Sequence, residues 1–172
     1  MYDIDEYHCK VNLPYPPVRV DAPNIAYADE MLSNMGAVIS EMSDVIRYFY
    51  ISVVTGPQFC SISICFHQIS IVEMHHLNIF AELALQLGAD PRLWCGWNHK
   101  RWWSPSFIGY PREICALITE SIGAEKAAIR KYSRQADTIC DGNIVAILNR
   151  IILDEKRHLQ IFREMYAQFQ CF

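Results

Sequence analysis

The sequence has no Cys-x-x-Cys motif, no run of basic residues and no apolar stretch long enough to cross a bilayer. Seven cysteines, an odd number without that motif, argue against both a disulfide framework and a zinc or rubredoxin knuckle, so most are expected to be reduced, buried and inert. A formal net charge of −4, with no cationic segment interleaved with aromatics, excludes nucleic acid as a partner. Arg47, His67, Gln68 and Glu73 interrupt the richest apolar stretches, which excludes a membrane span. The acidic opening Met1-Tyr2-Asp3-Ile4-Asp5-Glu6 lacks the apolar segment of a signal peptide, and the expectation is a mature cytoplasmic protein. Charged residues are also sparse, at 20% against 52% hydrophobic, as expected of long helices with buried faces. A chain of 172 residues forms one domain and buries roughly 70% of its unfolded surface.

Against this apolar background one stretch stands out. In Ile69-Ser70-Ile71-Val72-Glu73-Met74-His75-His76 a carboxylate and an imidazole are three residues apart within a helical apolar pattern. Residues i and i+3 share a helix face. The stripe neighbours Phe66, Ile69, Val72, Phe80 and Leu83 point into a core, so Glu73 and His76 point inward with them. A buried carboxylate needs an ion pair, a shifted pKa or a metal, and a metal is the reading taken here. The motif recurs as Glu155 and His158, on a stripe with Leu148, Ile151, Leu159 and Phe162. Each copy follows a helical segment with one inward glutamate. Glu41 is flanked by Ala37, Val38 and Val45, and Glu125 by Ile118, Ile122 and Ile129.

Residues 1–24 carry Pro14, Pro16, Pro17 and Pro23 and are read as an extended arm lying over the bundle or a partner subunit. Residues 25–172 are read as the bundle domain. A first helix is expected over residues 24–54, stopped by Thr55-Gly56-Pro57, and a second continues to Gly88-Ala89-Asp90-Pro91. A connection over residues 88–110 with four tryptophans is long enough to cross a bundle. Helices over about 111–139 and 143–169 meet at Asp141-Gly142-Asn143, which also offers an N-cap. The fold expected is all-α: two antiparallel helical hairpins joined by a long crossover. Facing residues of a hairpin share a midpoint with its turn. Glu41 and Glu73 centre on residue 57, and Glu125 and Glu155 on residue 140, so all six candidates share one level. Four carboxylates balance two divalent cations, and one imidazole per ion suits iron or manganese better than calcium or magnesium.

These residues resemble the ferritin-like di-metal carboxylate proteins, in which two helices each give a Glu and two each give Glu-x-x-His. The stretch from Ile69 to His76, the Gly88-Ala89-Asp90-Pro91 turn and Ile151-Ile152-Leu153-Asp154-Glu155-Lys156 are similar to rubrerythrin-type and manganese-catalase-like members, without a rubredoxin domain. The resemblance implies Glu41, Glu73, His76, Glu125, Glu155 and His158 as ligands of two Fe or two Mn ions per chain. It also implies an oxidoreductase acting on hydrogen peroxide or dioxygen, protecting against oxidative stress as a peroxidase or catalase, with a separate electron donor if one is needed. The rival readings are a ferroxidase or iron-storage protein and a structural protein with a static metal pair. A homo-oligomer is expected, a dimer first.

In that family the Asp before the second Glu serves the histidine of the facing helix, so Asp154 is expected to hold His76. The mirrored residue is Val72, which would make the two metal sites inequivalent. Tyr48 and Tyr132, each two turns beyond a candidate glutamate, have two readings: partners of the ligand carboxylates, or core tyrosines. Asp44 is read as the partner of Arg47, ahead of an extra ligand. His75, about 100° round the helix, is read as a surface or interface residue. His8, His67 and His99 have no mirrored counterpart. Of Trp94, Trp97, Trp102 and Trp103, at least two are expected in a small core under the crossover and the rest at a subunit contact.

Overall fold

The structure is a computed structural model that describes residues 9–95 and 101–171. Among these residues it is helical, with α1 (Ile25–Gly36), α2 (Glu41–Thr55), α3 (Cys60–Gln86), α4 (Ile114–Thr138) and α5 (Gly142–Gln168). The strand-like feature among them is a single antiparallel bridge between Trp94 and Trp102. Helices α2 and α3 form one hairpin, α4 and α5 the other, and α1 packs along the far part of α3. The crossover between the hairpins carries a short 3-10 turn, Pro105–Phe107. None of the described helices is long and apolar enough to cross a membrane.

The caps follow the side chains available. Asn24 Oδ1 accepts from the Ala26 and Tyr27 amides at 3.0 and 3.2 Å and starts α1. Asp141 does the same for α5 through Asn143 and Ile144. Gly88, at φ +99°, takes the left-handed conformation that ends α3.

The single helix expected over residues 24–54 is instead two helices. Ser40 takes an extended backbone and its Oγ accepts from the Ser43 amide at 3.3 Å, which starts a new helix with Glu41 as first residue. Gly36 lies so close to the crossover that a Cβ there would sit 2.5 Å from the Trp94 carbonyl oxygen. The break moves Val38 off the inward stripe, and it is 55% exposed.

Two apolar clusters fill the bundle. One gathers Met31, Leu32, Phe80, Leu83, Ile147 and Ile151; the other gathers Ile51, Phe66, Ile69, Leu117, Ile161 and Phe162. The residues from 9 to 24 hold no helix or strand and cross the outside of α3 and α5. Gln86 Nε2 donates to the Val18 carbonyl at 3.0 Å, and the Asp21 amide donates to Asp141 Oδ2 at 2.7 Å.

Two further expectations are corrected. Most cysteines are free, as expected, but Cys115 and Cys171 form a disulfide, and of the free ones Cys60 and Cys140 are exposed and Cys95 is half-buried. The pairing follows from the α4–α5 hairpin, which brings the first turn of α4 beside the end of α5. No tryptophan among the described residues is fully buried, although Trp94 packs against the main core and Trp103 is half-buried. Trp94 stacks on Trp102 with centroids 4.6 Å apart, Trp102 is exposed, and Trp103 Nε1 donates to Ser43 Oγ at 3.0 Å. Trp97, His8 and His99 lie outside the described residues.

Candidate metal centre

Glu73 and His76 on α3, Glu155 and His158 on α5, Glu41 at the start of α2 and Glu125 in mid-α4 converge at one level, each at most 1% exposed. They form two groups whose donor atoms lie within 4.8 Å of one another: Glu41, Glu73, His76 and Glu155, and Glu73, Glu125, Glu155 and His158. Glu73 and Glu155 belong to both. No cysteine belongs to either.

The two halves are related by an approximate twofold. His76 Nδ1 lies 3.0 Å from Oε2 of Glu73, its own helix neighbour, 3.2 Å from Glu155 Oε1 and 3.6 Å from Glu41 Oε2. His158 Nδ1 lies 3.2 Å from Oε2 of Glu155, 2.9 Å from Glu73 Oε1 and 3.6 Å from Glu125 Oε1. Each imidazole thus turns Nδ1 toward two shared carboxylates and one of its own. The tyrosines complete the symmetry across the hairpins. Tyr132 donates to Glu41 Oε1 at 2.5 Å, and Tyr48 donates to Glu125 Oε1. Both hydroxyls are therefore committed to carboxylates of the cluster.

The twofold fails on the outer side of the imidazoles. His76 Nε2 lies 3.3 Å from Asp154 Oδ2 and 3.1 Å from the Tyr15 hydroxyl. Asp154 also accepts from the Val11 amide at 2.7 Å and from Tyr15, and it forms an ion pair with Arg150, whose Nη1 lies 2.8 Å from Oδ2. His158 Nε2 is buried with no hydrogen-bond partner. Val72, which precedes Glu73 as Asp154 precedes Glu155, has a side chain that offers none.

Electrostatics in the cluster set protons against burial. Burial, followed by the Glu155 charge, raises Glu41 and Glu125 well above the usual carboxylate range. Burial would likewise raise Glu73, but His158 and then His76 hold it below that range. The imidazoles respond the other way. Burial opposes their charge, yet Glu155 beside His76 and Glu73 beside His158 raise both well above the ordinary value. Protons on these two acids and two imidazoles offset charge as two divalent cations would. The donor set fits such ions: Oε1 of Glu73 and of Glu155 are buried without a hydrogen-bond partner, and mixed carboxylate and imidazole donors suit iron or manganese.

Around the cluster, Asp44 contacts Arg47, and burial pushes its carboxyl up to about 7 against the pull of that guanidinium. Asp44 joins neither donor group. His75 and His67 are exposed; the His75 ring packs edge-on to Tyr15 at 4.6 Å.

Tyr15, Val11 and Arg150 are site residues that the motif reading did not single out. Arg150 donates to the carbonyls of Leu13 and Val11 at 2.9 and 2.8 Å, and its guanidinium lies 4.2 Å from the Tyr15 ring centroid. It therefore straps the arm over His76. Two signals were present: Arg150 stands four residues before Asp154, and Tyr15 sits between Pro14 and Pro16 on a stiffened segment.

The sequence profile of the rubrerythrin family matches residues 33–166. Among solved structures, the chain is similar to KatB, a manganese catalase from Anabaena PCC7120, at a TM-score of 0.84 and 18% identity, over 93% of this chain and 80% of that one. It is also similar to a Rhodobacter capsulatus bacterioferritin with a metal-free dinuclear site and heme iron. That likeness has a TM-score of 0.68 and 19% identity, covering 85% of this chain and 89% of the other. At such identities these likenesses establish the ferritin-like bundle. A search of curated proteins finds no significant match.

Proposed function

The chain belongs to the rubrerythrin family, and from that premise we propose that it is a di-iron or di-manganese oxidoreductase that reduces or disproportionates hydrogen peroxide. The observation that carries this reading is the pair of mirror-related donor groups sharing Glu73 and Glu155. Glu41 and His76 would complete one ion's ligands, and Glu125 and His158 the other's. When bound, a pair of redox-active ions supplies the two electrons that O–O cleavage requires.

The protein's own contribution is position, polarity and protons. Glu73 and Glu155 each have an oxygen free of hydrogen bonds and belong to both donor groups, so each would be available to either ion. Tyr48 and Tyr132 hold a hydroxyl proton on Glu125 and Glu41, where it is available to an oxygen leaving the cleaved bond. Burial, followed by the charge of the carboxylate each one faces, raises both phenols well above their ordinary value, so they keep that proton at neutral pH. Asp154 holds the outer nitrogen of His76 and leaves Nδ1 facing the cluster.

Size and charge select the oxidant. The surroundings include Ile69, Phe66, Phe80 and Phe162, all fully buried. The cations around the site are engaged: Arg47 with Asp44, Arg150 with Asp154, and Lys131 Nζ with the Ser33 and Ile39 carbonyls at 2.9 and 2.8 Å. A small neutral oxidant suits such a site, and an anionic substrate does not. A half-open cavity of about 710 Å³ reaches Val72 and Tyr15 from outside. Phe49 and Val53, one turn apart and exposed on α2, form an apolar strip suited to the contact of a homodimer.

The test is peroxide consumption by iron-loaded and manganese-loaded protein, each compared with Glu73→Ala/Glu155→Ala. The wild type is expected to react at least tenfold faster than the variant. Oxygen release without reductant identifies a catalase, and reductant-dependent turnover a peroxidase. Stoichiometric ferrous oxidation with mineral growth identifies a storage protein instead. If neither loaded form outpaces free metal ions, the enzyme reading fails and a static metal pair replaces it.

A further inference from the structure

Cys9 and Cys65 come together from the arm and from α3 within the apolar cluster of Phe66 and Phe162, and the metal cluster uses neither. Both are free thiols, 6% and 1% exposed, and the Cys9 thiol faces the Cys65 residue across the arm–α3 contact. Cys9 Sγ also lies 3.5 Å from Gln68 Oε1 and 4.0 Å from the Cys65 carbonyl oxygen. The two thiols differ in access. Cys9 lines the half-open cavity of about 710 Å³, together with Lys10, Asn12 and Gln68, whereas Cys65 is not part of its wall.

We propose that Cys9 and Cys65 are a second, thiol-based peroxide-reducing site, with Cys9 as the attacking sulfur and Cys65 as the sulfur that closes the disulfide. In the first step the Cys9 sulfur attacks one peroxide oxygen and the O–O bond breaks. Cys9 becomes a sulfenic acid, and the leaving hydroxide takes the thiol proton as water. In the second step the Cys65 sulfur attacks the Cys9 sulfur, an S–S bond forms, and the sulfenic oxygen leaves as a second water. Two thiols thus lose two electrons and two protons, and one peroxide becomes two waters. A thiol or dithiol reductant entering by the cavity restores the pair by exchange.

The electrostatics run the same way. The neighbouring Cys65 is the largest influence on Cys9 and lowers it below the ordinary thiol value; burial opposes this, and Arg157 assists it. The same contact, followed by burial, raises Cys65, which keeps its proton until the second step. A lowered thiol on a cavity wall, beside a resolving cysteine, is the arrangement that favours reversible oxidation over overoxidation. Closing the disulfide would also tether the arm that carries Tyr15 to α3.

This inference does not rest on the metal reading, so its test follows sulfur rather than peroxide. Full-length protein is reduced, desalted, treated with one equivalent of hydrogen peroxide, and alkylated before and after a second reduction for peptide mass spectrometry. Cys9 and Cys65 are expected to lose the first label together and appear as one linked peptide pair, while exposed Cys60 and Cys140 keep it. In Cys65→Ser, Cys9 is expected to be trapped by dimedone as a sulfenic acid. The proposal is overturned if Cys9 stays a free thiol while Cys60 or Cys140 is oxidised, if Cys9 pairs with another cysteine, or if Cys65→Ser yields no adduct on Cys9.

Discussion

Glu73 and Glu155 stand in both donor groups, whereas Glu41 and Glu125 stand in one each. Truncation should separate these duties. Glu73→Ala or Glu155→Ala is expected to abolish binding of both ions, and Glu41→Ala or Glu125→Ala to leave about one ion per chain, as read by elemental analysis after dialysis. Equal losses in all four variants would contradict the sharing. Asp154 gives a second residue-level test, because His76 has a partner on Nε2 and His158 has none. Asp154→Asn should weaken one of two stepwise metal-binding events by roughly 10–100-fold and spare the other. An unchanged titration would show that Asp154 does not orient the ligand. The Glu-x-x-His pairs and their level were legible because helical spacing and a shared hairpin midpoint are sequence properties. Tyr15 and Arg150 were not, because their roles depend on where an irregular arm happens to lie.

Among the helices, the element misjudged was the first, and its apolar period gave no warning. The period runs through residues 24–54, but Ser40 caps a new helix and Gly36 admits the crossover backbone, two local effects that outweigh periodicity. Lys131 spans this break from α4, donating to the carbonyls of Ser33 and Ile39. Burial lowers its amine from 10.5 to about 8. Between those values the unfolded chain holds more protons than the folded one, so this residue makes stability rise as pH increases through that window. Urea midpoints at pH 7.5 and 9.5 should therefore rise more in the wild type than in Lys131→Met. Parallel pH dependence in the two proteins would refute the assignment. The Cys115–Cys171 disulfide was readable in principle, since its midpoint, residue 143, falls at the α4–α5 turn. Counting cysteines for a framework hid a pair that hairpin geometry would have found.

For the molecule as a whole, the dominant feature is a charged cluster closed between two apolar cores. Without cations its four carboxylates are compatible with burial through protons on Glu41 and Glu125 and on both imidazoles. Metal binding must displace those protons, so affinity should fall as pH is lowered. Ions held at about a thousand times their Kd stabilise the fold by about 4 kcal/mol. Chelation of a chain this size is thus expected to lower Tm by roughly 10 °C in a thermal melt. An unchanged Tm would argue that the cluster holds no tightly bound ion. The central claim, two ions between the two histidines, is tested most directly by anomalous scattering at the iron and manganese edges from crystals of protein prepared without chelators. The account predicts two peaks about 3.5–4 Å apart, one beside His76 Nδ1 and one beside His158 Nδ1, with Glu73 and Glu155 reaching both. No peak, a single peak, or peaks away from this level would contradict it.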